Sequence, residues 1–297
     1  MQSKIQNTII SINLKERELK KIEKIEKNEL VDMIVSKLLP LIGKLSKEFQ
    51  LSGNKVGVRY CVVDDLLPVE LAGKISEVFP ALNSMRLMDS FREKKLTSKN
   101  FDVYDSLLGD VTFAIQDRRV IDIIEQITNI KNQVPDPSLY AGGLSAMVKG
   151  HFLGPHIDNS HDGLRKYYRT LNLLYYVSPG WYLECGGNLE LWDKSVHEKA
   201  TIVSCFNRLV IMETSPVSWH SVSEVLTYKV RKCVSNYYFS SESPTGKNYF
   251  NVTSFSAPPE QPLRRILARL DSQIRHLIRK VAHEGFSKKD VYRGPKS

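Results

Sequence analysis

The chain has no Cys-x-x-Cys pair, no long apolar run and no apolar N-terminal stretch. Its four cysteines, Cys61, Cys185, Cys205 and Cys233, are scattered. They read as reduced, mostly buried thiols and exclude a disulfide framework. No apolar run is long enough to span a bilayer. The opening Met1-Gln2-Ser3-Lys4 lacks the core of a secretory signal, so the expectation is a cytoplasmic protein. In that compartment the sequon Asn251-Val252-Thr253 carries no meaning. Internal repeats, low-complexity tracts, a P-loop, a dinucleotide glycine fingerprint and a Ser-His-Asp order are missing too.

What is there supports a globular protein. With 297 residues, 42% hydrophobic and 25% charged, the chain can bury a real core. The net charge of +9 is unevenly placed: beyond Gln261 ten basic residues face three acids. The remainder is close to neutral, so no nucleic-acid groove is expected in the main domain.

Residues 1–54 form a Lys/Glu-rich helical extension. Lys20, Lys21, Glu23, Lys24, Glu26 and Lys27 suit a solvated helix, and the more apolar 30–49, divided at Pro40, suits a packed one. Residues 55–257 form the main domain. It opens with a strand at Tyr60–Val63 and a helix after Pro68 that carries Leu71, Ile75 and Val78 on one face. Two more helices are expected over 104–115 and 119–130, and turn residues over 132–137 close this portion. Short β-prone runs follow at 145–148, 169–177, 188–192, 200–205, 208–213 and 230–239. Such a succession predicts a sandwich or barrel, such as a double-sheet jelly roll. The fold class is therefore α+β with a mainly β core about 144–240. Residues 258–297 form a basic tail whose helix carries Leu263, Ile266, Leu267, Leu270, Ile274, Leu277 and Ile278 in one stripe. Two roles fit this stripe: packing on the catalytic domain, or weak contact with an anionic membrane, which would make the protein peripheral to it.

The chemistry centres on His156-Ile157-Asp158. Residues two apart on an extended strand point to one side, so this imidazole and carboxylate converge. Downstream come Gly186-Gly187, an apolar strand at 209–212, His220, and Arg231 at the head of a strand. Two histidines and one carboxylate suit Fe(II), leaving positions open for a bidentate 2-oxo acid and dioxygen. An arginine fork suits the distal carboxylate of such an acid. Arg231 is the candidate, with Lys229 the runner-up because it shares that face if the strand starts early. A zinc hydrolase with the same three ligands, or a non-catalytic jelly-roll binding module, remains open at this point. His151 and His161 flank the motif as outer or surface groups, and His197, His276 and His283 read as exposed. The basic, aromatic loop 162–169 suits either a substrate entrance or a solvated loop.

The ordered set His156, Asp158, Asn159, Arg169, Tyr176, Gly186, Gly187, His220, Val222 and Arg231 resembles the catalytic core of the prolyl-hydroxylase-like 2-oxoglutarate/Fe(II) oxygenases. The resemblance runs over 154–239. It implies a double-stranded β-helix, iron on His156, Asp158 and His220, and 2-oxoglutarate held by Arg231 with Tyr176 hydrogen-bonding beside it. It also implies hydroxylation of a peptidyl, glycan or small-molecule substrate with release of succinate and CO2, and ascorbate as reductant. Asn159 and Arg169 would lie at the substrate entrance. One departure is Met147, which stands three residues before Gly150 where members often carry a tyrosine.

Overall fold

The computed structural model describes residues 25–140 and 142–281. Most of the Lys/Glu-rich opening, His283 and the last basic residues lie outside the described residues. Helix α1 (Lys27–Leu38) ends where Pro40 enters a 3-10 turn at Leu39–Leu41, and α2 (Ile42–Val56) continues beyond it. Proline lacks the N–H that an uninterrupted helix would need there. Gly57, at φ 76°, takes the left-handed conformation that closes α2. Next come β1 (Tyr60–Val63) and α3 (Val69–Glu77), then a hairpin of β2 (Arg86–Asp89) and β3 (Glu93–Thr97). Helices α4 (Ser106–Ile115) and α5 (Arg118–Thr128) each start on an aspartate. Asp105 accepts from Leu107 N and Asp117 from Arg119 N, satisfying amides that a helix start leaves open.

The strands that follow are β4 (Gln133–Val134), β5 (Gly143–Met147), β6 (Phe152–Ile157), β7 (Tyr168–Tyr176), β8 (Leu189–Trp192) and β9 (Lys199–Ile202). After them come β10 (Arg208–Glu213), β11 (His220–Val222), β12 (Arg231–Ser240), β13 (Ser254–Phe255) and helix α6 (Pro262–Val281). Pairing is antiparallel and runs β1-β10-β7-β12-β5-β3-β6-β11-β8-β9. The sheet curls into the jelly roll expected from the sequence. Its first half, β1 to β5, is backed by helices; its second half, β6 to β9, folds over the other side. Strand β3 joins the halves, pairing Leu96 and Thr97 with β5 and Glu93 and Lys94 with β6.

Period-two alternation sorts the side chains of the helix-backed half. Leu171, Leu173 and Tyr175 of β7, Leu209 and Ile211 of β10, and Val234 and Tyr238 of β12 pack with the helices. Tyr176, Val210, Met212 and Cys233 turn inward, against Leu189, Leu191, Ala200 and Ile202. Leu30, Ile34, Leu38, Leu45 and Phe49 belong to the helix-side core, so residues 27–56 share one apolar interior with the sheet. Their burial stabilises by roughly 1.5–3 kcal/mol per large side chain. Helix α2 also covers the outer edge of β1. Ser52 Oγ accepts from Tyr60 N at 2.7 Å, and Glu48 Oε1 accepts from Val62 N at 3.0 Å.

Helix α6 differs from the packing expectation. It meets the body through buried Ala268, through Arg264 over the Phe152 ring, and through an Arg92–Asp271 ion pair at 2.6 Å. Leu263, Ile266, Leu267, Leu270 and Ile274 are 52–77% exposed. These described members of the stripe therefore do not pack on the domain, because a neighbouring flank of the helix makes that contact.

Candidate metal centre

His156 lies at the end of β6, Asp158 one residue past it, and His220 opens β11, directly opposite His156 in the ladder. One donor atom from each lies within 4.8 Å of the others, the one such group among the described residues. Each imidazole is oriented by its own backbone. His156 Nδ1 is 3.0 Å from Gly154 O and His220 Nδ1 is 3.0 Å from Ser218 O. A carbonyl only accepts, so Nδ1 carries the proton and the Nε2 lone pair faces Asp158. The Nε2 atoms stand 3.7 Å from Oδ1 (His156) and 3.5 Å from Oδ2 (His220). Phe255 of β13 stacks on the His156 ring at 5.4 Å.

The electrostatics favour metal-binding forms. Burial first, and the neighbouring His220 second, lower the His156 imidazole to about 3, so it is neutral near pH 7. Burial alone would raise Asp158, but Arg169, both histidines and Asn172 outweigh it and hold the carboxyl well below its usual range. Arg169 Nη1 is 3.1 Å from Asp158 Oδ2, and Asn172 Nδ2 donates to the same oxygen at 2.7 Å. Those contacts converge on Oδ2 and leave Oδ1 facing His156.

These groups open on a cavity of about 300 Å³ that is also lined by Met147, Asn159, Asn172, Arg231 and Tyr237. Arg231 is 3% exposed. Its Nε donates to Gly187 O at 2.5 Å and lies 3.3 Å from Ser204 Oγ, and Nη1 sits 3.7 Å from Met147 Sδ. No carboxylate among the described residues forms an ion pair with it. A buried guanidinium with no counter-charge is costly unless an anion completes it. The Tyr176 ring lies against this guanidinium at 4.8 Å, in the inner core and not on the cavity wall. Burial pushes its phenol up against the pull of Arg231, so it stays protonated.

The structure moves two residues from their expected places. Arg169 does not lie at a substrate entrance: it is 1% exposed, paired with Asp158, bonded to Asn159 Oδ1 at 2.9 Å and laid over Tyr237 at 4.1 Å. By alternation it would face the helices with Leu171, but the β7–β12 register shifts between Tyr238 and Phe239, and past this irregularity Arg169 turns inward. Lys229 is exposed and donates to Gly180 O, away from the cavity. Asn159 does line the cavity. His161 lies against Tyr168 with the rings tilted and bonds Ser160 Oγ, outside the three-residue group.

Sequence reasoning passed over Asn172, Tyr237 and the Glu93–Lys95 pair, which is joined at 2.9 Å on the cavity wall. Asn172 had a readable signal: it shares the inward face with Leu174 and Tyr176 by even spacing. Tyr237, six residues after Arg231, has the same relation on β12.

The curled antiparallel sheet thus brings two histidines and a carboxylate that could hold a metal to the same cavity as a buried arginine, Arg231, that has no ion-pair partner among the described residues. Residues 142–240, about a third of the chain, match the model of the 2OG-Fe(II) oxygenase superfamily. Prolyl 3-hydroxylase OGFOD1 of Mus musculus is 32% identical over 88 residues, which are 28% of this chain. The match spans 16% of that relative's length. A prolyl 4-hydroxylase structure from Phytophthora capsici aligns with a TM-score of 0.51 at 15% identity, covering 86% of this chain and 81% of its own. A Trichoplax adhaerens prolyl hydroxylase solved with a hypoxia inducible factor peptide gives 0.45 at 18% identity, covering 68% of this chain and 92% of its own.

Proposed function

We propose that the protein is a 2-oxoglutarate- and O2-dependent hydroxylase that oxidises a C–H bond and releases succinate and CO2. The observation that carries this reading is the buried, counter-charge-free Arg231 on the same cavity as His156, Asp158 and His220. A zinc hydrolase would use the three ligands but has no need of such an arginine.

The donor set fits iron, with two imidazole nitrogens and one carboxylate oxygen on neighbouring strands and no thiolate. Bound there, Fe(II) supplies the O2 chemistry that side chains lack. His156 and His220 would bind it through Nε2 and Asp158 through Oδ1, while Arg169 and Asn172 keep the carboxylate turned inward. Arg231 would grip the distal carboxylate of 2-oxoglutarate through its terminal nitrogens. The Tyr176 ring and the Gly187 carbonyl fix the guanidinium from behind. Asn159, Tyr237 and the Glu93–Lys95 pair would shape the space for the substrate, a peptide or small molecule.

The test is anaerobic loading with Fe(II), addition of 2-oxoglutarate and O2, and measurement of succinate. Succinate should form in the wild type and fall to background in His156→Ala and His220→Ala, with unchanged circular dichroism. Full turnover in both variants, or zinc-supported hydrolysis independent of 2-oxoglutarate, would overturn the reading.

A further inference from the structure

Helix α6 holds its apolar residues in a pattern stricter than amphipathicity requires. Leu263, Leu267, Leu270 and Ile274 are spaced four, three and four, and the sequence continues the rhythm to Leu277 and Val281. This is a heptad seam. One of its two core positions is leucine each time, at 263, 270 and 277. The other is Leu267, Ile274 and Val281, so β-branched residues fill two of its three turns. That division favours two parallel strands.

The seam is open: the described members are all more than half exposed, and Ile266 widens the face at 57%. The body is held by the adjacent flank, through Ala268 and Asp271, so docking of α6 on its own chain leaves the seam unused.

We infer that α6 pairs through this seam with the α6 of a second copy of the chain, as a short parallel coiled coil. Charge placement supports that occupant over a lipid surface. In the sequence repeat, Arg265, Arg269, Arg275 and Arg279 take none of the core positions, so the repeat puts no charge at the core of a pair. Arg264 and Arg265, which a lipid headgroup would need, are turned to the body, over Phe152 and onto Ser195 O. The exposed stripe offers on the order of 500 Å² per chain before its last turns, comparable with the roughly 800 Å² per partner of a stable interface. A helix of this length is marginal alone. Its anchoring to the body removes much of the ordering cost of pairing.

The test uses the full chain in analytical ultracentrifugation over a wide concentration range. Wild type should reach twice the 33.9 kDa chain mass and dissociate on dilution. The Leu267→Asp/Ile274→Asp double variant should be monomeric throughout, with an unchanged melting profile and unchanged succinate formation. Under mild oxidation, Leu270→Cys should give a covalent dimer, because parallel in-register helices place position 270 against itself. A monomeric wild type at every concentration overturns the inference, whether or not it pellets with phosphatidylserine vesicles; pelleting would assign the stripe to lipid instead. A dimer that survives the double substitution, or one in which Leu270→Cys does not cross-link, overturns it as well.

Discussion

Arg169 and Arg231 sit in one sheet, both almost wholly buried, and differ in what answers their charge. Arg169 has Asp158, Asn159 and the Tyr237 ring; Arg231 has a carbonyl, a hydroxyl, a thioether and an open cavity. The first is a completed ion pair and the second an incomplete one, so their substitutions should separate. Arg231→Ala removes a charge-assisted contact of the kind that costs roughly 2–5 kcal/mol to break, so the KM for 2-oxoglutarate should rise well beyond tenfold. Lys229→Ala should leave it unchanged. Arg169→Met should instead weaken Fe(II) binding by about 10–100-fold, the usual effect of losing a group that orients a ligand. At saturating iron its KM for 2-oxoglutarate should stay near wild type. Succinate assays across both concentrations check the contrast. A Lys229→Ala effect larger than that of Arg231→Ala would refute the assignment of the anchor.

At the scale of elements, the turn into β8 governs Arg231. Gly187 adopts φ 61°, and a Cβ there would meet Arg231 Cδ at 2.9 Å, Val225 Cγ2 at 3.0 Å and Trp181 Cζ2 at 3.1 Å. Gly187→Ala should therefore shift the guanidinium and raise the KM for 2-oxoglutarate several-fold while iron binding persists; an unchanged KM would count against this coupling. The glycine pair was legible in the sequence as a turn, and so were the long elements. Helices α4 and α5 show clear periodicity, and Pro40 divides its helix where expected. The hairpin β2–β3 was not legible. Arg86–Asp89 and Glu93–Thr97 are rich in charge and mostly not buried; β3 is fixed by pairing with β5 and β6 across the two halves of the sheet, and β2 by pairing with β3. The inward turn of Arg169 was hidden for a related reason. An arginine beside tyrosines reads as surface until the carboxylate that neutralises it is known. For α6 the stripe was visible, but which flank meets the body depends on Arg92 and Phe152, far away in sequence.

For the whole molecule, the centre makes stability depend on pH. His156 is lowered from 6.5 to about 3 in the fold. The unfolded chain thus takes up a proton first as pH falls, and stability drops from about 6.5 downward, with the full loss reached near 3. Asp158, held below its usual range, adds a loss of the same sign at still lower pH. The melting temperature of metal-free protein should fall over this window, and His156→Asn should flatten its upper part. Added Fe(II) should raise the melting temperature near neutrality, since it binds the folded form, and progressively less on acidification. A flat profile between pH 6.5 and 4 would contradict the burial of a neutral imidazole.

The side chains that α2 lends to β1 bear on how copies of this protein meet. A strand at the end of a sheet normally offers unpaired amides, an invitation for another chain to add itself as a further strand and for aggregates to grow. Here Ser52 and Glu48 already occupy the Tyr60 and Val62 amides. At the far end β9 is only four residues long, with Lys199 and Thr201 outward. Neither border is an open template. At these two borders, growth by backbone ladders, which can propagate without limit, is thereby disfavoured.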